Sequence, residues 1–160
     1  MDRFRIRPIV DEDRTWVAFV LSENWGSTLI ITRGKSHQAD RLPGLIALSN
    51  DKPVGLMTYN IENAEMEIIS LNSLTEGKGI GSALIEAGRI EAISSHCSRI
   101  WLITTNDNLY ALRFYQKRGF HIKAIYPGAL EESRKLKQEM PLLGIDEIPL
   151  RDEIELEMIF

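Results

Sequence analysis

The 160-residue sequence has a single cysteine, Cys97, and no apolar run near the ~20 residues that a membrane-spanning helix needs. One cysteine excludes an internal disulfide and suggests a reducing compartment. The flanking residues SSHCSR form no known nucleophile signature. The N-terminal stretch MDRFRIRPIVDED is charged and lacks the apolar core of a signal peptide. We therefore expect a cytoplasmic protein without a membrane segment.

An excess of basic residues and a metal-ligand spacing are also missing. With 19 Lys and Arg against 23 Asp and Glu, the net charge is −4, whereas nucleic-acid-binding proteins usually carry a basic face. The three histidines, His37, His96 and His121, do not stand at the spacing of a metal site. We therefore expect no nucleic-acid partner and no bound metal. The acidic balance weakly favours a cationic partner such as an amine.

The length fits one domain over residues 1–160. Alternating or β-branched stretches predict strands at FRIRP, LIALSN, PVGLMTYNI, EMEIISLNSL, RIWLITTN, HIKAIY and EIELEMIF. Helices are predicted at DEDRTWVAFVLSENWG, SALIEAGRIEAISSHC and DNLYALRFYQKRGF. STLIITRG could be a strand or an extended arm, and KSHQADRLPG is predicted as a polar connection. The order predicts an α/β fold of α+β type, with a mixed, mostly antiparallel central sheet of six to seven strands and helices on both faces.

Two further expectations concern packing. The predicted buried stripe of the second helix consists of Ala83, Leu84, Ala87, Ile90 and Ile93. Residues 127–151 form an arm between the last two strands, with a rough helical stripe of partly apolar residues. This arm could line an acceptor pocket, form a contact in a homodimer, or be a surface excursion.

The segment EGKGIGS, residues 76–82, places three glycines directly before a predicted helix. A helix N-terminus has unpaired N–H groups and the positive end of the helix dipole. Glycines in front of it let these groups point at an anion, so the loop is built like a phosphate cradle, and Lys78 could add positive charge. It is neither a Walker A loop nor a dinucleotide fingerprint, since Ser82 stands where the last glycine belongs. The alternative is a glycine-rich turn with close helix–strand packing.

Two segments resemble the motifs of the GNAT superfamily of N-acetyltransferases. EGKGIGSALIEA is similar to motif A, [RQ]-x-x-G-x-[GA], and NLYALRFYQKRGF is similar to motif B, N-x-x-A-x-x-F-Y-x-x-x-G-F. The matching residues are Gly79 and Gly81 in the first motif and Asn108, Ala111, Phe114, Tyr115, Gly119 and Phe120 in the second. The resemblance covers essentially the whole chain and is strongest over residues 65–126. It departs from the family at Glu76, where the family has Arg or Gln and where an inward carboxylate would be unfavourable beside a pyrophosphate.

The resemblance implies a GNAT-like acyl-coenzyme A N-acyltransferase fold with acetyl-coenzyme A as cosubstrate. The implied reaction transfers acetyl to a primary amine of a small molecule or peptide by direct attack in a ternary complex. The alternative is a non-catalytic domain that binds or senses acyl-coenzyme A. Asn108 could contact the cofactor or instead cap the following helix. The cofactor-binding residues that follow from the resemblance are Leu71, Ser73, Leu74, Gly77, Lys78, Gly79, Ile80, Gly81, Ser82, Asn108 and Tyr115.

The strand before the glycine loop, AEMEIISLNSL, changes its apolar phase. Met66 and Ile68 share one face, while Ile69 and Leu71 share the opposite one. A β-bulge between Ile68 and Ile69 would reconcile the two phases, and a strand buried on both faces would give the same pattern. The resemblance implies the bulge, with splayed strands and a backbone N–H turned toward the thioester carbonyl. Trp25 could line the acceptor side or belong to the core.

Three residues are candidates for proton transfer. The resemblance implies that Tyr115 protonates the leaving thiolate, which suits a phenol whose basicity is similar to that of a thiolate; the alternative is an aromatic that packs in the core. Glu65 and Glu67 lie on one face of a strand, and either could accept a proton from an incoming ammonium, directly or through water. We favour Glu67 because it is nearer the predicted bulge. The alternative for both is a solvated strand face.

Overall fold

The structure, a computed structural model, describes residues 4–160, so the first three residues of the predicted domain lie outside it. The strands are β1 Phe4–Pro8, β2 Leu29–Thr32, β3 Lys35–Gln38, β4 Gly44–Ser49, β5 Lys52–Glu62, β6 Glu65–Ser73, β7 Arg99–Thr105, β8 His121–Tyr126 and β9 Glu153–Ile159. The α-helices are α1 Arg14–Trp25, α2 Ile80–Ser94, α3 Leu109–Lys117 and α4 Ala129–Leu136. Short 3-10 turns cover Asp11–Asp13, Ala39–Arg41 and Ile145–Glu147.

Seven strands form one sheet in the order β1-β4-β5-β6-β7-β9-β8. The β6–β7 pair is parallel, and the other neighbouring strands pair antiparallel. Helix α2 packs on one face through Ile80 and Leu84, and α1 packs on the other through Val17 and Leu21. The predicted mixed, mostly antiparallel sheet with helices on both faces is confirmed. Within residues 4–160, no helix has the length and apolar character needed to span a bilayer.

The stretch KSHQADRLPG contains a strand, β3, which the prediction of a polar connection missed. β2 and β3 form a separate antiparallel hairpin. Arg33 and Gly34 in its turn have φ values of 49° and 72°, as a tight two-residue hairpin turn requires. The strand was hidden because only His37 among its four residues is buried. The hairpin brings His37 and Thr32 against the main sheet.

The buried face of α2 differs from the predicted stripe. The buried residues are Ile80, Leu84, Ile85, Gly88 and Ala92. Ile90 and Ile93, which were expected to be buried, are 54% and 46% exposed. Small size decides the contact face, because a Cβ atom on Gly88 would stand 2.9 Å from the Met57 sulfur. The helix therefore lies close to β5 along its small residues.

Strand β6 contains the predicted β-bulge and is also buried on both faces. Successive residues of β5 pair with Ile68 and Ser70, so Ile69 is the extra residue. Ile68 packs in the cluster with α2, and Ile69 packs in the cluster with α1. The register change is confirmed at the predicted place. Leu71 returns to the α2 side, so the expectation that it shares a face with Ile69 was wrong.

The arm at residues 127–151 is tied to the rest of the fold at two places. Lys137, just after α4, donates hydrogen bonds from Nζ to the carbonyl oxygens of Trp25 and Leu29 (3.2 and 2.8 Å). Further along, the Ile145 N–H donates to the buried carboxylate of Asp107 (2.8 Å). The arm thus connects the end of α1 and the β2–β3 hairpin with the start of α3.

Candidate active site

A cavity of about 630 Å³ opens in the sheet where β6 and β7 separate. The parallel pairing of the two strands ends at Ile68 and Leu102, and a bulge such as that at Ile69 bends the strand that carries it. The walls are residues 68–73 of β6, residues 102–104 of β7, the start of α2 and one face of α3. The splayed strands therefore supply the space that a fully paired sheet would close.

The glycine loop and the first turn of α2 form part of the cavity wall. Gly77 and Gly79 have φ values of 75° and 76°, a left-handed conformation that favours glycine. Gly81 serves packing, because a Cβ atom there would stand 3.0 Å from the Phe114 ring. Residues 80–82 line the cavity, and the first N–H groups of a helix have no partner inside it. The loop therefore combines the open N–H groups of an anion cradle with the close packing considered as its alternative.

Most of the predicted cofactor residues surround this cavity. Those that line it are Leu71, Ser73, Gly77, Gly79, Ile80, Gly81, Ser82, Asn108 and Tyr115. Leu74 and Lys78 lie on the same loop but are not part of the lining, whereas Glu76 is. The Asn108 side chain also caps α3, since its Oδ1 accepts a hydrogen bond from the Ala111 N–H (3.0 Å). The capping role considered for Asn108 is therefore present.

Tyr115 lines the cavity from α3. Its ring packs edge-to-face against Phe114 and Phe120, with centroid distances of 5.1 and 5.4 Å. Its hydroxyl has no hydrogen-bond partner among residues 4–160. Burial raises the pKa of Tyr115, so the phenol keeps its proton at neutral pH. Tyr115 is thus a core aromatic and also a proton-carrying group in the cavity wall.

Glu67 is buried under the β2–β3 hairpin, next to the bulge and outside the cavity lining. Thr32 Oγ1 donates to Glu67 Oε2 (2.7 Å) and lies 2.9 Å from His37 Nε2. Burial lowers the pKa of His37, so its ring is neutral at pH 7 and donates from Nε2 to the threonine oxygen. Burial raises the pKa of Glu67 to about 7, opposed by the Thr32 hydrogen bond and by Lys35. A carboxyl group that titrates near neutral pH is suited to accept protons there.

Replacing Thr32 with valine should raise the pKa of Glu67 above about 7, since the hydrogen bond that favours the charged form is lost. The change also leaves the His37 N–H without its acceptor, which we expect to cost ~1–3 kcal/mol of folding stability. Thr32→Ser keeps the hydroxyl and is the matched control. The measurement is an NMR titration of the Glu67 side-chain carboxyl carbon in the three proteins. An unchanged midpoint in Thr32→Val would contradict this role of the hydroxyl.

Glu65, the other candidate base, is held in an ion-pair network. Arg99 Nε donates to Glu65 Oε1 (2.6 Å), and Arg99 Nη1 donates to Glu155 and Glu157 (2.7 and 2.9 Å). Although burial opposes it, hydrogen bonding to these carboxylates raises the pKa of Arg99. The Glu65 carboxylate is thus committed to an ion pair with an arginine, whereas Glu67 accepts a hydrogen bond from a neutral hydroxyl. We therefore keep Glu67 as the candidate base.

Residues distant along the chain complete the cavity. Arg118 was not predicted, yet its Nε donates to Ser82 Oγ at the start of α2 (2.7 Å), and its guanidinium stacks 3.6 Å from the centroid of the Phe114 ring. Ile145 reaches the lining from the arm, and Trp25 reaches it from the end of α1. Trp25 is 42% exposed and so is not a core residue. No local sequence pattern points to Arg118 or Ile145, because their contacts are set by the fold.

The other groups considered for chemistry lie outside the cavity lining. Cys97 is buried, and burial raises the pKa of its thiol. A thiol that burial keeps neutral is a weak nucleophile, in agreement with the absence of a nucleophile signature around it. Among residues 4–160, no group of three or more His, Cys, Asp or Glu side chains is placed to hold a metal ion.

Comparison with known proteins agrees with this geometry. Residues 9–120 match the model of the acetyltransferase (GNAT) family. The chain therefore belongs to the GNAT acetyltransferase family. A relative from Bacillus subtilis (strain 168), the uncharacterized protein YxbD, is 41% identical over 150 residues, which cover 93% of this chain and 94% of that protein.

Solved structures share the fold. The IAA acetyltransferase from Bacillus cereus ATCC 14579 has a TM-score of 0.71 at 22% identity, covering 99% of this chain and 100% of its own. A GNAT family acetyltransferase from Elizabethkingia anophelis, solved with acetyl-CoA bound, has a TM-score of 0.71 at 19% identity, covering 100% of both chains. The predicted GNAT-like fold is confirmed. At these identities the likeness concerns the fold and does not transfer an acceptor to this chain.

Proposed function

We propose that the protein transfers the acetyl group of acetyl-coenzyme A to a primary amine of a small molecule or peptide, by direct attack in a ternary complex. The observation that carries the proposal is a single cavity that joins the first turn of α2, the gap beside the β6 bulge and Tyr115. A cosubstrate with a diphosphate, a slender arm and a reactive thioester needs all three features in one place.

The residues of the cavity suit acetyl-coenzyme A. N–H groups at a helix N-terminus favour a diphosphate, and glycine at positions 77 and 79 keeps side chains away from it. Glu76 is exposed where it lines the cavity, so solvent and salt weaken its repulsion of phosphate. The β6 edge beyond Ile68 is unpaired with β7, and its backbone groups are available to hydrogen-bond the slender arm. When bound, acetyl-coenzyme A supplies an acetyl group activated as a thioester.

Glu67 takes up the proton that the amine must lose. An alkylamine has a pKa near ~10 and is mostly protonated at neutral pH, and only the free base attacks a thioester. Because burial raises the pKa of Glu67 to about 7, a substantial fraction is ionised at working pH and is basic enough to accept a proton. Glu67 does not line the cavity, so the proton passes through water.

Tyr115 donates a proton to the leaving thiolate. Burial keeps its phenol protonated, and its hydroxyl has no competing partner among the described residues. Burial also raises the basicity of a thiolate expelled into the same place, so donor and acceptor remain matched. A backbone N–H at the bulge polarises the thioester carbonyl as negative charge develops on its oxygen.

Adding acetyl-coenzyme A should raise the unfolding temperature of the protein. At about 100 times Kd, a ligand that binds only the folded state adds ~2.7 kcal/mol, which for a chain of this size corresponds to roughly 5–10 °C. Gly79→Ala should reduce this shift, because its Cβ atom would stand at the entrance of the phosphate cradle. The measurement is a thermal unfolding scan with and without the ligand. An unmoved wild-type transition at millimolar acetyl-coenzyme A would overturn the proposal.

Gly128→Ala is the matched control for this experiment. Gly128 precedes α4 with a φ of 74°, as Gly79 precedes α2 with a φ of 76°. An added Cβ atom would meet nothing within 4 Å at either position. Both substitutions should therefore cost a similar ~1–2 kcal/mol of backbone strain. Only Gly79→Ala should also lose part of the ligand-induced shift.

A further inference from the structure

Arg118 stands between two cavities. It lines the main cavity and, together with Ser82, also lines a neighbouring one of about 420 Å³. Within the described part of the chain, it is the sole Lys or Arg in the lining of the main cavity. The smaller cavity adds Arg89, which is paired with Glu86 (2.6 Å). The charged groups around it sum to one positive charge, two arginines against one glutamate, in a chain whose net charge is −4.

Three contacts hold the Arg118 side chain in place. Its Nε donates to Ser82 Oγ (2.7 Å), and its Nη1 donates to the Phe114 carbonyl oxygen (2.8 Å). Its guanidinium carbon lies 3.6 Å from the Phe114 ring centroid. The remaining nitrogen, Nη2, has no hydrogen-bond partner among residues 4–160. An oriented guanidinium with an open donor, next to a hydroxyl group, matches the oxygen atoms of a phosphate.

We propose that Arg118 and Ser82 bind the 3′-phosphate of coenzyme A and make the protein prefer coenzyme A over 3′-dephospho-coenzyme A. The inference rests on the proposed function, because it assumes that this cavity takes the cosubstrate. Coenzyme A carries a diphosphate and, separately, a phosphomonoester, which approaches two negative charges at neutral pH. Backbone N–H groups at a helix N-terminus serve the diphosphate. The more highly charged monoester needs a cation, and Arg118 lies directly beyond the glycine loop, where the smaller cavity begins.

The test is calorimetric binding of coenzyme A and of 3′-dephospho-coenzyme A to the full chain. Wild-type protein should bind coenzyme A about 10- to 100-fold more tightly, the range expected for one charge-assisted contact. Arg118→Gln should bring the two affinities within about twofold of each other by weakening coenzyme A alone. Lys117→Gln is the matched control, since it makes the same charge change at the adjacent, exposed residue that lines neither cavity. It should keep the wild-type ratio.

Arg118→Lys is a second test in case the glutamine variant does not fold. It keeps the positive charge and loses only the planar arrangement of guanidinium N–H donors. It should lower the affinity for coenzyme A several-fold and leave 3′-dephospho-coenzyme A unaffected. Equal wild-type affinities for the two ligands would overturn the inference and leave the proposed function standing. A parallel loss for both ligands in Arg118→Gln would also overturn it, because it assigns Arg118 to the shared diphosphate. Failure of wild-type protein to bind either ligand would instead refute the proposed function.

Discussion

Tyr115→Phe should lower kcat by about 100-fold or more, the usual worth of a positioned general acid, while the protein folds and binds acetyl-coenzyme A as before. The hydroxyl has no hydrogen-bond partner among the residues described by the structure, so its loss should change the free energy of unfolding by less than ~1 kcal/mol. The measurement is release of the coenzyme A thiol with a panel of amines. Turnover equal to that of wild type would remove Tyr115 from the mechanism.

Tyr59→Phe is the matched control for Tyr115→Phe. Tyr59 is buried in the same core cluster, and burial raises the pKa of its phenol as it does for Tyr115. It does not line the cavity, so its substitution should leave kcat unchanged. The comparison separates loss of a proton donor from loss of any buried hydroxyl. Acetyl-coenzyme A binding by wild-type protein without turnover across the amine panel would favour the non-catalytic alternative.

Local chemistry explains why the two family motifs could be located from sequence. Positive φ at Gly77, Gly79 and Gly119 is a backbone requirement that glycine meets best. The run of consecutive apolar residues in β6 likewise indicated the bulge, although Leu71 returns to the α2 side and does not share a face with Ile69. In both cases the structural requirement falls on a few individual residues, so the local sequence alone indicates it.

The same reasoning fails where size, and not hydrophobicity, decides a contact. A stripe chosen for apolar character placed Ile90 and Ile93 in the core, but α2 approaches Met57 of β5 through Gly88, and its other small residue Ala92 is also buried. A small residue such as glycine does not contribute to a hydrophobic pattern, yet it permits the closest approach between the helix and the strand. The exposed isoleucines then sit on the side of the helix that faces away from the sheet.

Long-range contacts account for the remaining differences at the candidate site. Glu65 and Glu67 are equivalent in sequence, but Arg99 binds the first and the β2–β3 hairpin covers the second. Strand β3 itself could not be recognised, since its one buried residue, His37, is polar and finds its hydrogen-bond partner, Thr32, on the other strand of the hairpin. Arg118 meets Ser82 across 36 positions of the chain. Such pairings depend on the assembled sheet and leave no periodic signal.

Glu67→Gln should lower kcat/KM by about 100-fold or more near neutral pH. It should also abolish the fall in kcat/KM that wild-type protein shows at acidic pH. In wild-type protein, activity should rise with pH through a midpoint near 7, because burial raises the pKa of Glu67 to about 7 and the base must be ionised. Glu65→Gln is the matched control, with the same chemical change two residues earlier on the same face of β6. It should keep both the midpoint and most of the activity. A retained acid limb in Glu67→Gln would assign the base to another group.

The same variant should be more stable than wild type at alkaline pH. The pKa of Glu67 rises from 4.5 to about 7 on folding, so between these values the folded state holds a proton that the unfolded state releases. The contribution of the Glu67 carboxyl to the free energy of unfolding is therefore fully present below about pH 4.5 and is lost as the pH rises to about 7. Glutamine resembles the neutral acid and does not titrate. Glu67→Gln should thus exceed wild type by on the order of 3 kcal/mol at pH 8 and match it near pH 4.

The measurement is urea unfolding of both proteins at pH 4, 6 and 8. Several charged groups act on Glu67: Lys35 lowers its pKa, while Glu153 and Glu155 on β9 raise it. Burial also raises the pKa of Glu153, so each protein has a pH dependence of its own, and the difference between the two isolates Glu67. We expect the difference in free energy of unfolding to grow from pH 4 to pH 8, while the variant has lower activity. This combination means that the buried carboxylate destabilises the protein and is retained because the reaction needs it. If Glu67→Gln were less stable than wild type at pH 8, the claim that the buried, ionised carboxylate destabilises the folded state would be wrong.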